Sequence, residues 1–236
     1  LKAFTNDIGF VLTKGKTLQS ALLECAESMV KHLHAAFARI WTLNDSENVL
    51  ELQASAGMYV HIDGAHSRIP VGKFKIGLIA QERKPHLTNA VIGDPRVSNQ
   101  EWAKREGMVA FAGYPLIVGN NVVGVMGMFS RKPLDIATLE SLGSAADIIA
   151  LWIQQRRSDE AVRDNESRIR TILNTTVDGI ITINEHGIVE SFNPSAERIF
   201  GYNRDEVIGN NVNMLMPESY HSEHHTYLEN YLKTGI

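Results

Sequence analysis

Apolar residues recur at helical spacing at Leu18, Leu22, Cys25, Ala26, Met29, Val30 and Leu33, which predicts a helix with Thr17 as its N-cap. Residues 36–43 and 49–56 then read as two strands around the polar turn Asn44-Asp45-Ser46-Glu47-Asn48, a hairpin. The stretch 57–68 is irregular. A short helix is predicted over 74–83, ended by Lys84-Pro85 because proline cannot continue it. Residues 86–88 suggest a short strand, and a second short helix over 99–106 closes at Gly107. The clearest β signal is the pair 111–118 and 122–130 around Gly119-Asn120-Asn121, residues that tolerate the positive φ of a tight hairpin. Simple alternation places Val123, Val125 and Phe129 on one face, and Val122, Met126 and Met128 on the other. Pro115 inside the first of these strands requires an edge or a bulge there.

A long helix is predicted from about Asp135, with the apolar stripe Leu139, Leu142, Ala146, Ile149 and Ile153. Residues 154–160 are wholly polar or charged, and apolar positions return at Val162, Ile169, Ile172 and Leu173. A helix polar through its middle either bridges solvent between domains or pairs with a second helix. After Asp178-Gly179 the period changes to that of a strand. Residues 180–183 and 188–192 form a second hairpin around the turn at 184–187. Asn193 with Pro194 behind it reads as a capped helix start. Asn203 with Glu206 is a capping box stopped by Gly209, and 221–233 is a further helical pattern. The expectation is therefore an α+β protein of two domains, each a central antiparallel sheet flanked by helices. The first spans 1–153, a helical linker 154–174, and the second 175–236, cut short at its C-terminus.

Composition narrows the function classes. The 236 residues carry a net charge of −4 with the lysines and arginines scattered, so no basic stripe suggests nucleic acid. The single cysteine, Cys25, rules out an internal disulfide and a cysteine-rich metal site; its helical, apolar context reads as core packing. No leader is visible in residues 1–12, where Lys2, Asn6 and Asp7 interrupt the apolar positions. The apolar run 142–153 is shorter than a membrane span and holds Asp147. The expectation is a cytoplasmic protein with no membrane segment in this span. No Gly-rich phosphate loop, Ser/His/Asp arrangement or acid–base pair of carboxylates is evident, so the covered chain is expected to have no catalytic residues.

Two resemblances add to this reading. Tyr114-Pro115-Leu116 followed by Gly124-Val125-Met126-Gly127, in the order helix, hairpin, loop with short helices, hairpin, exit helix, resembles a GAF domain. That likeness implies a small-molecule sensor or dimerisation module. Its pocket would be lined by the 57–86 region with Tyr114, Met126 and Met128. Cys25 sits in the entry helix, away from where a bilin is attached. Asp94-Pro95-Arg96 lacks the aromatic and histidine neighbours of a bilin site. The second resemblance runs over 168–235: Asp178-Gly179-Ile180-Ile181, Phe192-Asn193-Pro194-Ser195-Ala196-Glu197, Phe200-Gly201-Tyr202 and Met216-Pro217-Glu218 are similar to a PAS domain. Its tail from His224 to Gly235 resembles the F helix of FixL-type haem PAS domains. The resemblance implies that His224 is an axial ligand of haem iron, sharing a helix face with Tyr227, Leu228 and Tyr231. Glu223 and His225 stand where that subfamily has arginine and aspartate. A histidine packed against the PAS core fits the same position.

The other histidines read more plainly. His221 and His225 are four apart, a spacing that can chelate a metal on one helix face, but they equally suit a solvated face. His32 and His34 close the first helix, and His61, His66 and His86 fall in the presumed pocket region. GAF then PAS joined by a helix resembles the input region of bacterial sensor histidine kinases. That implies a homodimer through the helix 139–173, which passes a ligand-dependent change to a downstream kinase or other output domain. A cyclic-dinucleotide synthase or hydrolase, or a non-enzymatic transcription regulator, could carry the same sensors.

Overall fold

The computed structural model describes residues 2–14, 17–221, 226 and 230. Contacts divide the chain into two units, Leu1–Asp159 and Glu160–Ile236. The first is built on an antiparallel sheet in the order β3-β2-β1-β6-β5-β4. Its strands are β1 (Phe37–Asn44), β2 (Val49–Gly57), β3 (Arg68–Pro70), β4 (His86–Thr88), β5 (Ala110–Val118) and β6 (Asn121–Ser130). Helices α1 (Lys2–Thr13), α2 (Leu18–Leu33), α3 (Phe74–Glu82), α4 (Gln100–Arg105) and the part of α5 (Ile136–Thr175) up to Asp159 complete it.

The helix starts follow the local chemistry of the chain. Thr17, Asn99 and Asp135 each accept a hydrogen bond from the backbone N–H three residues on, at 3.3, 2.8 and 2.7 Å, which satisfies a donor that the first helical turn leaves unpaired. Helix α1 was not among the predicted elements. Phe4, Ile8, Val11 and Leu12 are its buried stripe, and Asp7 holds it to α2 by accepting from the Ser28 hydroxyl at 2.6 Å and facing His32 at 3.2 Å. The three-residue strand β3 was likewise unpredicted, being too short to show a period.

Strand alternation sends apolar side chains to two cores. Ala38, Ile40, Ala54, Ala112, Met126 and Met128 pack under α1, α2 and α5, with Leu142, Ala146, Ile149 and Ile153. Phe37, Trp41, Leu52, Ile79, Phe111 and Val125 pack on the opposite face, beside α3 and α4. One expected facing is reversed. The register of β5 on β6 slips between Leu116 and Ile117, opposite Val122 and Gly124, so Val123 is the extra residue of a bulge. Val123 therefore joins the helix-side core and Val122 the other. Pro115 sits just before this bulge, beyond the reach of β4, which pairs only with residues 111–113.

The stripe read as a dimer seam is corrected in its first half. Leu142, Ala146, Ile149 and Ile153 are buried against the unit's own sheet, because a single helix crossing a sheet needs the same apolar period as a coiled coil. Helix α5 also contains an 18-residue window of mean hydropathy 1.4, enough by length and composition for a membrane span. That apolarity is accounted for, in part, by the stripe packed on the sheet.

The second unit has a two-stranded sheet of β7 (Ile181–Ile183) and β8 (Val189–Phe192), helices α6 (Pro194–Phe200) and α7 (Arg204–Val207), and short 3-10 turns at Val212–Leu215 and Glu218–Tyr220. Its core is Val189, Phe192, Ala196, Val207 and Val212. Asn193 organises the entry. Its amide donates to the carbonyls of Leu173 and Asp178 at 2.9 and 3.0 Å, and its oxygen accepts from Ile180 and Ala196 at 2.8 and 2.9 Å. All four capacities of a buried amide are used, and no other side chain of that size supplies two donors and two acceptors. The Asn203–Glu206 capping box forms as predicted.

Candidate functional site

The face of the first sheet away from α1, α2 and α5 is hollow. A cavity of about 310 Å³ lies over it, at the small end of ligand sites, which run ~300–1,000 Å³. Strand β1 supplies Phe37, Arg39 and Trp41, alternate residues on one face. In the neighbouring strand Phe129 pairs with Phe37 and Gly127 with Arg39. Gly127 has no side chain, and Ile76 and Phe111 approach the place its Cβ would take to 3.4–3.6 Å. The β2–β3 segment brings Tyr59, His61 and His66; α3 brings Phe74, Lys75 and Ile76; the loop before α4 brings Arg96 to Asn99, and α4 brings Trp102.

The walls are aromatic and mutually packed. The ring of Phe37 stacks on Phe129 at 5.2 Å and meets Tyr59 and Trp102 edge-on at 5.3 and 5.9 Å. Such edge and offset contacts fix ring orientation beyond simple burial. The polar tips of these walls are satisfied: Trp102 Nε1 donates to the Tyr59 hydroxyl at 2.9 Å, and Trp41 Nε1 to the His66 carbonyl at 2.9 Å.

The charges on the walls are unequal in their partners. Lys75 Nζ lies 2.6 Å from Asp94 Oδ2, both side chains almost fully buried. Arg96 holds the same carboxylate through Nε and Nη2, each at 2.9 Å. These bonds from Arg96, then Lys75, keep the Asp94 carboxyl well below the usual carboxylate range against the opposing effect of burial. Arg39 is different. It is 9 % exposed, and among the described residues its one side-chain hydrogen bond is from Nε to the Ser55 hydroxyl at 3.1 Å. Ser55 in turn donates to the Tyr59 carbonyl at 2.6 Å. Among the described residues no carboxylate pairs with this guanidinium, and none of those lining the cavity is acidic. Burial lowers the pKa of Arg39. Burial, then the charge of Arg39, lowers that of His66.

The structure brings only part of the sequence-predicted site together. From the 57–86 region, Tyr59, His61, His66, Ile69, Phe74, Lys75 and Ile76 line the cavity. Tyr114, Met126 and Met128 do not; they lie on the other face, in or against the helix-side core. Tyr114 donates its hydroxyl to the Leu139 carbonyl of α5 at 2.7 Å. The reason is parity. Gly127 and Phe129 are the cavity-facing positions of β6, and their even-numbered neighbours point away. His86 is buried outside the cavity, with Nε2 2.8 Å from Glu82. Cys25 is packed in the core, where burial pushes its thiol up to about 12. Among the described residues, no three His, Cys, Asp or Glu side chains converge as a metal site. His224, expected as a haem ligand, and His225 lie outside the described residues. Arg39 itself was missed. The available signal was an arginine flanked on its own strand face by Phe37 and Trp41, in a strand whose first five residues are otherwise apolar.

Comparison with known proteins follows this division of the chain. A GAF domain family model matches residues 15–154, and a PAS fold model matches residues 167–235. Sensor protein FixL of Bradyrhizobium diazoefficiens is 37 % identical over 99 residues, covering 41 % of this chain and 20 % of that protein. Oxygen sensor protein DosP of Escherichia coli is 44 % identical over 57 residues, covering 24 % and 7 %. Cell-division control histidine kinase PdhS of Brucella anthropi is 35 % identical over 89 residues, covering 37 % and 8 %. The chain thus spans a fifth or less of the length of these relatives. Among solved structures, the GAF domain of a phosphoenolpyruvate-protein phosphotransferase from Coxiella burnetii superposes with a TM-score of 0.59 at 18 % identity, covering 68 % of this chain and 96 % of that one. The nlh2 GAF domain of A. aeolicus, in an inactive state, gives 0.57 at 21 %, covering 66 % and 96 %. At these identities the superpositions speak for the fold alone.

Proposed function

The chain belongs to the GAF domain family, with a PAS fold behind the GAF domain, and from that premise we propose that it is the sensory input region of a cytoplasmic two-component histidine kinase. Similarity to the histidine kinase PdhS supports a kinase as the parent, and similarity to the sensor protein FixL supports a sensory role. The covered chain senses and relays; the ATP-dependent step belongs to a downstream output domain. The observation that carries the reading is the aromatic cavity with Arg39 in its wall, since a site that only packed two surfaces together would have no need of a hollow.

Relay runs through a parallel homodimer of α5. With the inward stripe used by the sheet, four exposed apolar positions, Leu151, Val162, Ile169 and Ile172, fall on one 4-3 repeat with Gln155, Ser158 and Asn165. That is a coiled-coil seam with polar interruptions, a form that specifies register at some expense of stability. A ligand that alters the GAF domain shifts this register.

The test is to fill the cavity. The Cβ that Gly127→Leu would introduce meets Ile76 and Phe111 at ordinary contact distances of 3.4–3.6 Å, and the rest of the side chain would occupy the hollow. In the parent protein, autophosphorylation is expected to be fixed at one level and to lose its response to the natural effector. A response as large as that of the wild type would remove the cavity from the signal path.

Haem in the PAS domain is a second input, favoured by the resemblance at His224 and the similarity to an oxygen sensor. Haem would supply a gas-binding iron there, and this chain's part would be to ligate it through an imidazole. On reconstitution with hemin, a sharp Soret band lost in His224→Ala is the expected result. A band indifferent to His224, or none, returns that histidine to packing.

A further inference from the structure

We propose that the GAF cavity binds a compact aromatic carboxylate, whose carboxylate pairs with the Arg39 guanidinium while its ring lies against the wall formed by Phe37, Tyr59, Trp102 and Phe129. This inference rests on the reading of the cavity as a sensory site and names the ligand class.

The sign of the ligand follows from the charges. Arg39, Lys75 and Arg96 all line the cavity; Asp94 stands behind the last two, and Glu82 also acts on Arg96. Asp94 engages Lys75 and Arg96, which leaves Arg39 with a neutral hydroxyl as its hydrogen-bond partner. A buried guanidinium without a counter-charge is costly, and the arrival of an anion would offset that cost. The aromatic walls could otherwise suggest a cage for a quaternary ammonium. Here the ring faces already meet cations: Arg39 lies 5.6 and 5.8 Å from the Phe37 and Tyr59 centroids, and Lys75 4.5 Å from that of Phe111. A further cation would be repelled.

The shape of the ligand follows from Arg39 and the rings. One guanidinium presents a planar fork that matches a carboxylate in two parallel hydrogen bonds. With Nε held by Ser55, the terminal nitrogens remain for that role. The edge-on contacts of Phe37 with Tyr59 and Trp102, and of Trp102 with Phe129 at 5.3 Å, close these rings into one continuous apolar wall, against which a flat ring can lie. The volume of about 310 Å³ limits the ligand to a small molecule.

The experiment titrates the chain with benzoate, benzamide and benzyltrimethylammonium, which share a ring and differ in charge. Calorimetry measures affinity, and tryptophan fluorescence reports occupancy because Trp41 and Trp102 line the cavity. Benzoate is expected to bind at least about tenfold more tightly than benzamide, the worth of a charge-assisted pair, and the ammonium not at all. Arg39→Met is expected to abolish that preference while its thermal midpoint stays at or above that of the wild type. A merely structural arginine would instead lower the midpoint and leave the preference intact. If Arg39→Met does not fold, Arg39→Lys decides: it keeps the charge and loses the fork, and about tenfold weaker benzoate binding is expected. Equal affinity of that variant and the wild type overturns the pairing. Benzamide or the ammonium binding as tightly as benzoate overturns the anion assignment and leaves the cavity a sensory site. Failure of all three probes to bind overturns this inference and leaves the sensory reading of the cavity to the Gly127→Leu test.

Discussion

Ile149→Asp is expected to unfold the GAF domain, whereas Leu151→Asp, two residues further along the same helix, leaves it folded and breaks the dimer. Ile149 has no exposed surface and sits with Leu142, Ala146 and Ile153 against the sheet. A carboxylate there must either take up a proton or stay charged without a partner. Loss of the isoleucine packing adds to that, and a total above about 4 kcal/mol is expected. Domain stabilities are on the order of 5–15 kcal/mol, so little or none of the fold survives. Leu151 is 60 % exposed, and a charge there meets water in the monomer. In a parallel pair of helices the two carboxylates would face each other across the seam. Circular dichroism melting and light-scattering mass separate the two effects. A folded, monomeric Ile149→Asp would return the inward stripe to the dimer interface, and a dimeric Leu151→Asp would remove the proposed seam.

That pair of substitutions also marks how far the sequence could be read. The periodicity of α5 was plain, but 3.6-residue spacing says only that a helix buries one stripe, not whether the stripe meets its own sheet or a second chain. Elements with a chemical start or stop were legible: Thr17, Asn99, Asn193 and the Asn203–Glu206 pair all cap as their residue types demand. Helix α1 was legible in principle, since Phe4, Ile8 and Leu12 repeat every four residues. The bulge at Val123 was not, because the extra residue shows only once β5 and β6 are in register. The site was legible in its region and not in its residues. The segment from Tyr59 to Ile76 does wall the cavity, whereas the choice of Met126 and Met128 over Gly127 and Phe129 depended on which face of the sheet is hollow. No single strand carries that information. Arg39 acquires its meaning from having no carboxylate partner among the described residues, and that is visible only in three dimensions.

The ion pairs behind the cavity give the last large effect, and it is asymmetric. Asp94→Ala is expected to destabilise the GAF domain by about 3–5 kcal/mol, because the almost fully buried Lys75 ammonium then has no counter-charge. The Phe111 ring at 4.5 Å cannot replace a carboxylate, and the charge of Arg96 acts against the ammonium. Lys75→Met is expected to cost roughly half as much, since Asp94 keeps two side-chain bonds from Arg96 and the Arg96 backbone N–H at 3.0 Å. Replacing both, Lys75→Met with Asp94→Leu, should recover most of the loss, because two apolar side chains need no desolvation repaid; Arg96 is more than a third exposed and can turn to water. The pH dependence separates the variants further. The folded carboxyl of Asp94 titrates below that of the unfolded chain, near ~3.9, so its contribution is complete above about pH 5 and falls as the solution is acidified through and below that value. Urea unfolding followed from pH 7 to pH 3 should show that acid limb in the wild type and a shallower one in Asp94→Ala. Equal costs for Asp94→Ala and Lys75→Met, with parallel acid limbs, would mean that Arg96 does not share the carboxylate and that Asp94 serves Lys75 alone.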